Sequence, residues 1–485
     1  MTAVGQRTES GGAVEEADAL FRALVDDGDA PGLAYGIVDR AGLVHTAGHG
    51  AAHLDGPRPD AATAFRIASM TKSFTAASIM ILADEGAVRL DDPVSRYVPA
   101  FGAVRLPTTD SPQVTVGMLL SMSGGLPTDD PWADRQESMS REEFARLLAE
   151  GVRFVGVPGT GFEYSNLGYA VLGQVVEAAS GASYQEFVER RLIRPLGLTA
   201  TGFDTSVAAR SGVATGHSRL DGRWHPEEFS GPGVFSAIGG LFSTVEDLAR
   251  WMRWLAGAFP ARDGADGGPL RRASRRAMQQ VHRAVPPTRP AGNPGDGAMP
   301  VTVGYGYGLM IQEDPVWGPV VAHSGGYPGF GSHMRWHPRT GLGVVVLTNA
   351  RYATGRVAAA AALRAVLADR ADPQDPVALW PETAEARAAV ERLLREWDPA
   401  VAAAWFAGNV DLDLGLGHRR AAIERLAGEV GPLLDPAAPE EIIRSDSPAH
   451  AVWEVRGERG MLRCEIRLNP QDPPRIQTLT VTRES

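Results

Sequence analysis

The sequence has a single cysteine and no long apolar run. Cys464 cannot form a disulfide within the chain, and without a nearby catalytic partner it is interpreted as a small buried apolar residue. No apolar run reaches the roughly 18 residues that a membrane span needs. The first residues also lack the charged-then-apolar pattern of a secretory signal. These absences predict a cytoplasmic protein without a membrane span.

Positive charge is also scarce. The net charge is -11 over 485 residues, and the acidic residues are scattered along the chain. This balance argues against nucleic acid or an anionic membrane as a partner, because both require a basic face. With 44% hydrophobic and 22% charged residues, the chain has the composition of a globular protein longer than one ordinary domain. No residue spacing indicates a metal or a cofactor.

Lysine is the rarest basic residue, since Lys72 is the only one in the chain and all other Lys+Arg positions are arginine. It follows Ser69 by three residues, which places both on one face of a predicted helix. Arginine stays protonated in proteins, whereas a buried lysine can lose its proton and act as a base. A serine becomes a nucleophile only beside such a base. Alternatively, Ser-x-x-Lys is an ordinary solvated helix turn in an arginine-rich chain.

The order of predicted elements gives the fold class. Residues 1–12 are predicted to be disordered, and residues 13–370 begin and end with helices beside antiparallel strands. This indicates an α/β (α+β) fold, in which helices sandwich an antiparallel sheet and an all-helical subdomain is inserted. The insert covers about 75–255, and a mobile surface loop covers about 257–300, apart from a short helix at 271–282. Predicted strands include 33–38, 43–47, 320–323, 332–337 and 343–348.

A separate C-terminal unit follows a linker at residues 371–382. Helices and then alternating strands over 383–485 predict a small α+β domain, with a resemblance to the nuclear transport factor 2-like (NTF2-like) cone. A lipocalin-like barrel is the alternative, although the helical share speaks against it. We expect this unit to serve in dimerisation or as a lid, and ligand binding is the other use considered.

A second motif lies at Tyr164 to Asn166, directly before a predicted helix. A tyrosine at a helix mouth beside a lysine can share a proton with it, and Asn166 would then hold the lysine or a substrate carbonyl. By itself, the motif is explained more simply, with Asn166 as the helix N-cap and Tyr164 as a partly buried aromatic residue.

A third motif starts where a short apolar strand ends at His323. Ser324, Gly325 and Gly326 follow in a glycine-dense turn, where backbone N–H groups can approach an oxyanion closely. The alternative is a hairpin turn that needs glycine for its backbone angles, with His323 as an ordinary strand residue.

Together, Ser-x-x-Lys, Tyr-x-Asn and His-x-Gly in this order resemble the serine β-lactamase and penicillin-binding-protein superfamily. The nearest branch holds class C β-lactamases, DD-carboxypeptidases, D-aminopeptidases and β-lactamase-fold esterases, and the resemblance covers about residues 13–369. It implies a nucleophile at Ser69, its proton partner at Lys72, a general base or acid at Tyr164 and a substrate-amide contact at Asn166. It also implies that the backbone N–H groups of Ser69 and Gly326 form the oxyanion hole.

The resemblance also bears on the substrate. His323 stands where β-lactamases carry a lysine, and histidine is only partly charged at neutral pH. We therefore expect an ester, amide or peptide substrate, a small molecule or short peptide, rather than an anionic β-lactam. The alternatives are acyl transfer to an amine as in a peptide cyclase, a β-lactamase, or a non-catalytic binding protein on the same fold. Trp132 and Tyr327, with Phe330, would form an aromatic pocket or simply pack; Arg335 is interpreted as a surface residue.

Overall fold

The computed structural model describes residues 11–207, 209–286, 303–371, 377–434 and 442–484. The chain divides into two compact units, residues 1–371 and 372–485. Residues 1–10 of the segment predicted to be disordered and residues 372–376 of the predicted linker lie outside the described residues. Residues 11 and 12, also predicted to be disordered, are instead the first residues of a helix.

The described part of the first unit contains an eight-stranded sheet and two small two-stranded sheets. Its strands in chain order are β1 Gly32–Val38, β2 Leu43–Gly50, β3 Phe65–Arg66, β4 His217–Leu220, β5 Arg223–Pro226, β6 Phe242–Ser243, β7 Arg283–Val285, β8 Val303–Tyr305, β9 Met310–Asp314, β10 Gly318–Tyr327, β11 Phe330–Trp336 and β12 Gly343–Thr348. The large sheet has the order β2-β1-β12-β11-β10-β9-β8-β7, and β3 pairs with β6 and β4 with β5. All of these pairings are antiparallel.

The helices of this unit complete the sandwich. They are α1 Gly11–Asp26, α2 Thr71–Asp84, α3 Val116–Leu120, α4 Arg141–Glu150, α5 Asn166–Ser180, α6 Tyr184–Val188, α7 Ser236–Gly239, α8 Val245–Ala256, α9 Arg272–Met278 and α10 Arg356–Arg370. Leu33, Tyr35 and Ile37 of β1 share a core with residues of α1 and α10. Ala34, from the same strand, joins the larger core on the opposite face with α2 and α8. This alternation is the period of two expected of a strand buried on both faces.

Four expectations from the sequence need correction. The insert is not all-helical, because β4 and β5 form a hairpin within it. The predicted loop at 257–300 contains the edge strand β7 in addition to the expected short helix, α9, and residues 287–302 lie outside the described part. The strand predicted to end at His323, β10, continues to Tyr327, so Ser324 to Gly326 are strand residues rather than turn residues. The glycine with left-handed backbone angles in the turn is Gly329. The fourth concerns residues 381–382, which begin a helix rather than end a linker.

The described residues of the second unit form four helices and a four-stranded antiparallel sheet. The helices are α11 Pro381–Arg395, α12 Pro399–Trp405, α13 Gly408–Asp413 and α14 Leu416–Val430, and the strands are β13 Ile442–Arg444, β14 His450–Gly457, β15 Gly460–Leu468 and β16 Ile476–Glu484. The strands pair in sequence order, and Trp453, Cys464 and Leu394 lie in their common core. The NTF2-like assignment stays a prediction.

Among the described helices, none combines the length and the apolarity that crossing a bilayer would require.

Candidate active site

Ser69 lies in a tight turn held against the central strands. The turn is a 3-10 segment, Ala68–Met70, that leads directly into α2. Ala68 has a φ of 49°, a left-handed conformation that costs a non-glycine residue about 1–3 kcal/mol and is typical of functional sites. Ser332 donates to the Ile67 carbonyl at 2.7 Å, and a Cβ on Gly325 would lie 2.3 Å from that same oxygen. Close packing against β10 and β11 therefore fixes the turn.

Lys72 is fully buried and directed at Ser69. Its Nζ donates to Ser69 Oγ at 2.9 Å and to the Ile238 carbonyl at 2.9 Å. Burial lowers the pKa of Lys72 to about 8, against the opposing effect of the negative charges of Asp130, Asp134 and Asp129. A substantial fraction of the amine is thus neutral near physiological pH, as a general base requires.

Tyr164 completes this cluster as a neutral phenol. Lys72 Nζ lies 5.1 Å from the centre of its ring. Burial raises the pKa of Tyr164 well above 10, and its interaction with the Ser69 side chain offsets this only in part. At neutral pH the hydroxyl group keeps its proton and can donate it.

Asn166 is fully buried at the first turn of α5. The N-cap is Ser165, whose hydroxyl accepts from the Gly168 N–H, so Asn166 is not the cap that the sequence also allowed. Its Nδ2 donates to Asp129 and Asp130, while its Oδ1 has no partner. Asp129 also accepts the backbone N–H groups of Asn166 and Leu167 at 2.8 Å, which places a carboxylate at the helix N-terminus. The amide is therefore held rigidly with one acceptor unused.

His323 is buried and hydrogen-bonded on both ring nitrogens. Nδ1 lies 2.6 Å from the Ser324 carbonyl, to which it can only donate, so Nε2 accepts from the Tyr305 hydroxyl at 3.2 Å. Burial lowers the pKa of His323 to about 3, and the charge of Lys72 acts in the same direction. The imidazole is neutral at physiological pH, whereas the sequence predicted partial charge.

The neighbouring polar groups of β10 and β11 have partners away from Ser69. The Ser324 hydroxyl contacts His333 Nδ1 at 2.8 Å, and strand alternation directs it to the face opposite His323. Arg335 is buried rather than on the surface, and donates to Gln312 at 3.1 Å. Gly326 lies against a ring, because a Cβ there would be 2.4 Å from Tyr352. The structure thus brings the backbone of this stretch to the nucleophile, but not the Ser324 side chain.

Of the three aromatic residues considered for a pocket, Tyr327 and Phe330 line one cavity. Tyr327 is buried, and its hydroxyl donates to the Asp134 carbonyl at 2.6 Å. It lines a cavity of about 240 Å³ with Phe330, but Trp132 is not among the lining residues. Trp132 is instead 44% exposed and packs edge-to-face on Phe235. Tyr327 and Phe330 are packing residues beside the site, and Trp132 is a separate surface aromatic.

Sequence reasoning missed several residues that contact the site. Tyr305 fixes the His323 ring, Ile238 accepts from Lys72 through its backbone, and Asp130 and Asp134 set the electrostatic environment of Lys72. A backbone acceptor leaves no signal in the sequence, because any residue can supply it. The aspartates, in contrast, follow one another closely in the chain just before the buried Glu137, but no sequence motif links them to Lys72. Within the described part of the chain, no group of three or more His, Cys, Asp or Glu residues is placed to hold a metal ion.

Comparison with known proteins identifies the family of the chain. The profile of the beta-lactamase family matches residues 17–369. The chain is 27% identical over 341 residues to Protein flp of Staphylococcus aureus (strain COL), covering 69% of this chain and 63% of that protein. It is 26% identical over 309 residues to the D-alanyl-D-alanine-carboxypeptidase/endopeptidase AmpH of Escherichia coli (strain K12), covering 60% of this chain and 72% of that one. The chain thus spans less than two thirds of the length of Protein flp.

Solved structures show the same fold. The octameric penicillin-binding protein homologue from Pyrococcus abyssi superposes with a TM-score of 0.62 at 22% identity, over 94% of this chain and 96% of that one. EstCE1, a hydrolase with promiscuous acyltransferase activity, gives 0.57 at 22% identity, and a D-stereospecific amidohydrolase from Streptomyces sp. gives 0.57 at 24%. Each of these two covers 73% of this chain and 98% of its own. At these identities the likeness establishes the fold.

Proposed function

The chain belongs to the beta-lactamase family, and from that premise we propose that it is a serine hydrolase that forms an acyl-enzyme on an ester, amide or peptide bond. The observation that carries this proposal is the 2.9 Å hydrogen bond between Lys72 Nζ and Ser69 Oγ, in a site that lowers the pKa of the lysine. A buried lysine without a carboxylate in contact is costly to keep, and activating a serine is a use that explains it.

In the proposed acylation, neutral Lys72 takes the hydroxyl proton of Ser69 as Oγ attacks the substrate carbonyl carbon. The carbonyl oxygen becomes an oxyanion, which would be bound by the backbone N–H groups of Ser69 and Gly326. Collapse breaks the bond to the leaving group, which receives a proton from the Tyr164 hydroxyl, and Lys72 restores the proton to Tyr164. Water then attacks the acyl-enzyme and gives a proton to Lys72 and Tyr164, which act together as the general base. The acid is released, and Ser69 Oγ takes back its proton.

Substrate preference follows from the neutral His323 and the unpartnered Asn166 Oδ1. A buried acceptor without a partner favours a ligand that donates an N–H group, because leaving it unpaired costs about 1–3 kcal/mol. A neutral imidazole offers no fixed cation for a substrate carboxylate. Both features favour amide or peptide substrates, and esters as simple probes, over anionic β-lactams.

The test is covalent labelling of Ser69 by a fluorophosphonate, read by intact mass. We expect wild type to gain one adduct and Ser69→Ala to gain none. Ser78→Ala is the matched control, because Ser78 is also buried in α2 but bonds only to the Phe74 carbonyl at 2.9 Å. A wild-type protein that takes no label, or a Ser69→Ala variant that labels like wild type, contradicts the proposal. Parallel incubations with p-nitrophenyl esters, D-amino amides, D-Ala-D-Ala peptides and penicillins then rank the substrates.

A further inference from the structure

The second hydrogen bond of Lys72 leads to a single-turn helix. This helix is α7, Ser236–Gly239. Three of its consecutive backbone carbonyls accept hydrogen bonds from side chains that lie close to Ser69 in the sequence. Thr75 Oγ1 donates to Ala237 at 2.7 Å, Lys72 Nζ to Ile238 at 2.9 Å and Arg66 Nε to Gly239 at 3.1 Å. The last carbonyls of any helix lack partners within it, so a helix this short offers nearly all of its acceptors to neighbours. The position of α7 therefore sets the direction of the Lys72 side chain.

Glu137 holds both ends of this helix. Its side chain is completely buried, and Oε1 accepts from Ser236 Oγ at 2.8 Å at the start of α7. Oε2 lies 3.1 Å from Arg66 Nη2, and Arg66 in turn binds the Gly239 carbonyl at the end of α7. Gly240 packs on the same carboxylate, because a Cβ there would lie 2.7 Å from Oε1. One carboxylate thus contacts both ends of the segment that presents the Ile238 carbonyl.

A buried ion pair at this place requires an explanation other than stability. Arg66 and Glu137 are 3% and 0% exposed, and removing two charges from water costs several kcal/mol per ion that the pairing only partly returns. Tyr327 adds support, since its ring lies 3.9 Å from the Arg66 guanidinium and its hydroxyl donates to the Asp134 carbonyl beside Glu137. Packed apolar residues would fill this space at lower cost, but they could not hold hydrogen-bonded groups at both ends of α7.

We propose that Glu137, acting through Arg66 and Ser236, is a positioning residue that fixes the Ile238 carbonyl and thereby holds Lys72 Nζ on Ser69 Oγ. The inference rests on the proposed hydrolase function only for its rate effects. If the carbonyl moves, the long lysine side chain is free to turn away from Ser69, and a displacement of about 1 Å in a catalytic group costs roughly 10²-fold in rate. The same displacement removes an acceptor that favours the charged form of Lys72.

The first test is Glu137→Gln, which keeps the shape but places an amide donor or a weaker acceptor opposite Arg66. We expect the fluorophosphonate labelling rate at high pH to fall roughly 10²-fold. Because Lys72 is the only lysine, protein made with [15N]lysine gives one side-chain Nζ signal to titrate. We expect its midpoint to shift to lower pH by about one unit, since the lost hydrogen bond favoured the charged form of the amine. The other groups facing Lys72, namely Asp129, Asp130, Asp134, Tyr164 and His323, are unchanged.

Two further variants separate position from stability. Asp247→Asn is the matched control, because Asp247 is also buried and paired with an arginine, Arg250, but contacts Thr201 and Ala200 rather than α7. It should leave both the labelling rate and the Lys72 midpoint unchanged. The double variant Arg66→Met/Glu137→Leu removes both charges and restores packing without the contacts to α7. We expect the double variant to melt at a higher temperature than Glu137→Gln, while its labelling rate stays roughly 10²-fold below that of wild type.

The inference is overturned if Glu137→Gln keeps the wild-type Lys72 midpoint, or if the double variant labels like wild type. Loss of labelling in wild type instead contradicts the hydrolase proposal, and the Lys72 titration still decides the positioning role because it needs no turnover.

Discussion

Acylation of Ser69 should titrate with Lys72. The pKa of this lysine is about 8, lowered from 10.5 by burial. With that value, about one tenth of the folded molecules carry a neutral Lys72 at pH 7 and about nine tenths at pH 9. If the neutral amine is the base, the labelling rate should rise about tenfold between these pH values and then level off.

Two independent measurements report this midpoint. The labelling rate with a fluorophosphonate follows the base in the reaction, and the single [15N]lysine Nζ signal follows the same proton directly. We expect the two midpoints to agree near pH 8. Lys72→Arg should label at least about 10²-fold more slowly without a midpoint in this range, because arginine keeps its proton.

The pKa values of the other titrating groups near the site differ from that of Lys72. The pKa of His323 is lowered by burial to about 3, and burial raises the pKa of Asp134 to about 6. The pKa of Tyr164 lies well above 10. Asp134→Asn should therefore keep the rise of the labelling rate near pH 8. Its midpoint should move slightly to lower pH, because one negative charge near Lys72 is lost. A lysine signal with its midpoint near 10.5 in folded protein, or a flat rate profile from pH 6 to 9, would refute the role of Lys72 as base.

Three further predictions concern stability and packing. Between pH 8 and 10.5, Lys72 still binds its proton in the unfolded chain but has lost it in the folded protein. The unfolding free energy of wild type should therefore rise across this window by about 3 kcal/mol relative to that of Lys72→Met. Urea unfolding of both proteins at pH 7 and 10.5 measures this difference. His323 gains a proton below pH 6.5 in the unfolded chain, but not until about pH 3 in the folded protein. Between pH 7 and 4 the unfolding free energy of wild type should therefore fall by about 3 kcal/mol more than that of His323→Gln. Equal losses in both proteins would show that the histidine is not held neutral. Gly325→Ala should push Ile67 and the nucleophile turn away and lower labelling at least about 10²-fold, whereas Gly231→Ala, in open space, should label like wild type.

The arrangement around Ser69 shows what local pattern can predict. Spacing alone brings together only Ser69 and Lys72, because residues three apart on a helix lie on one face. The expectation that Tyr164 and His323 join them came from the resemblance of the three motifs to a known superfamily. The burial and the lowered pKa that the rarity of Lys72 suggested are present in the structure. The cytoplasmic location, the dimer and the role of the second unit stay predictions.

What the sequence did not predict depends on contacts between distant segments. Arg66, Glu137 and Ile238 are far apart in the chain, and their meeting depends on how β3, the loop before α4 and α7 pack together. The direction of Ser324 was within reach, since a strand predicted through Tyr327 would have put it opposite His323. The run of glycines concealed this, because glycine in a strand usually marks an irregularity, and here it serves the close approach of Ile67 to Gly325.

The pairing of β1 with β12 has a consequence for how the protein is made. Leu33 of β1 is hydrogen-bonded in register opposite Thr348 of β12, so one flank of this buried strand has no partner until nearly the whole first unit has been synthesised. At about 5–20 residues per second, the ribosome needs roughly 15 to 60 seconds to supply it. During that interval the edge of β1 that pairs with β12 has no partner, and an unpaired apolar strand edge is a template for pairing with another chain. The central sheet, and with it the turn that carries Ser69, can therefore be completed only late in synthesis.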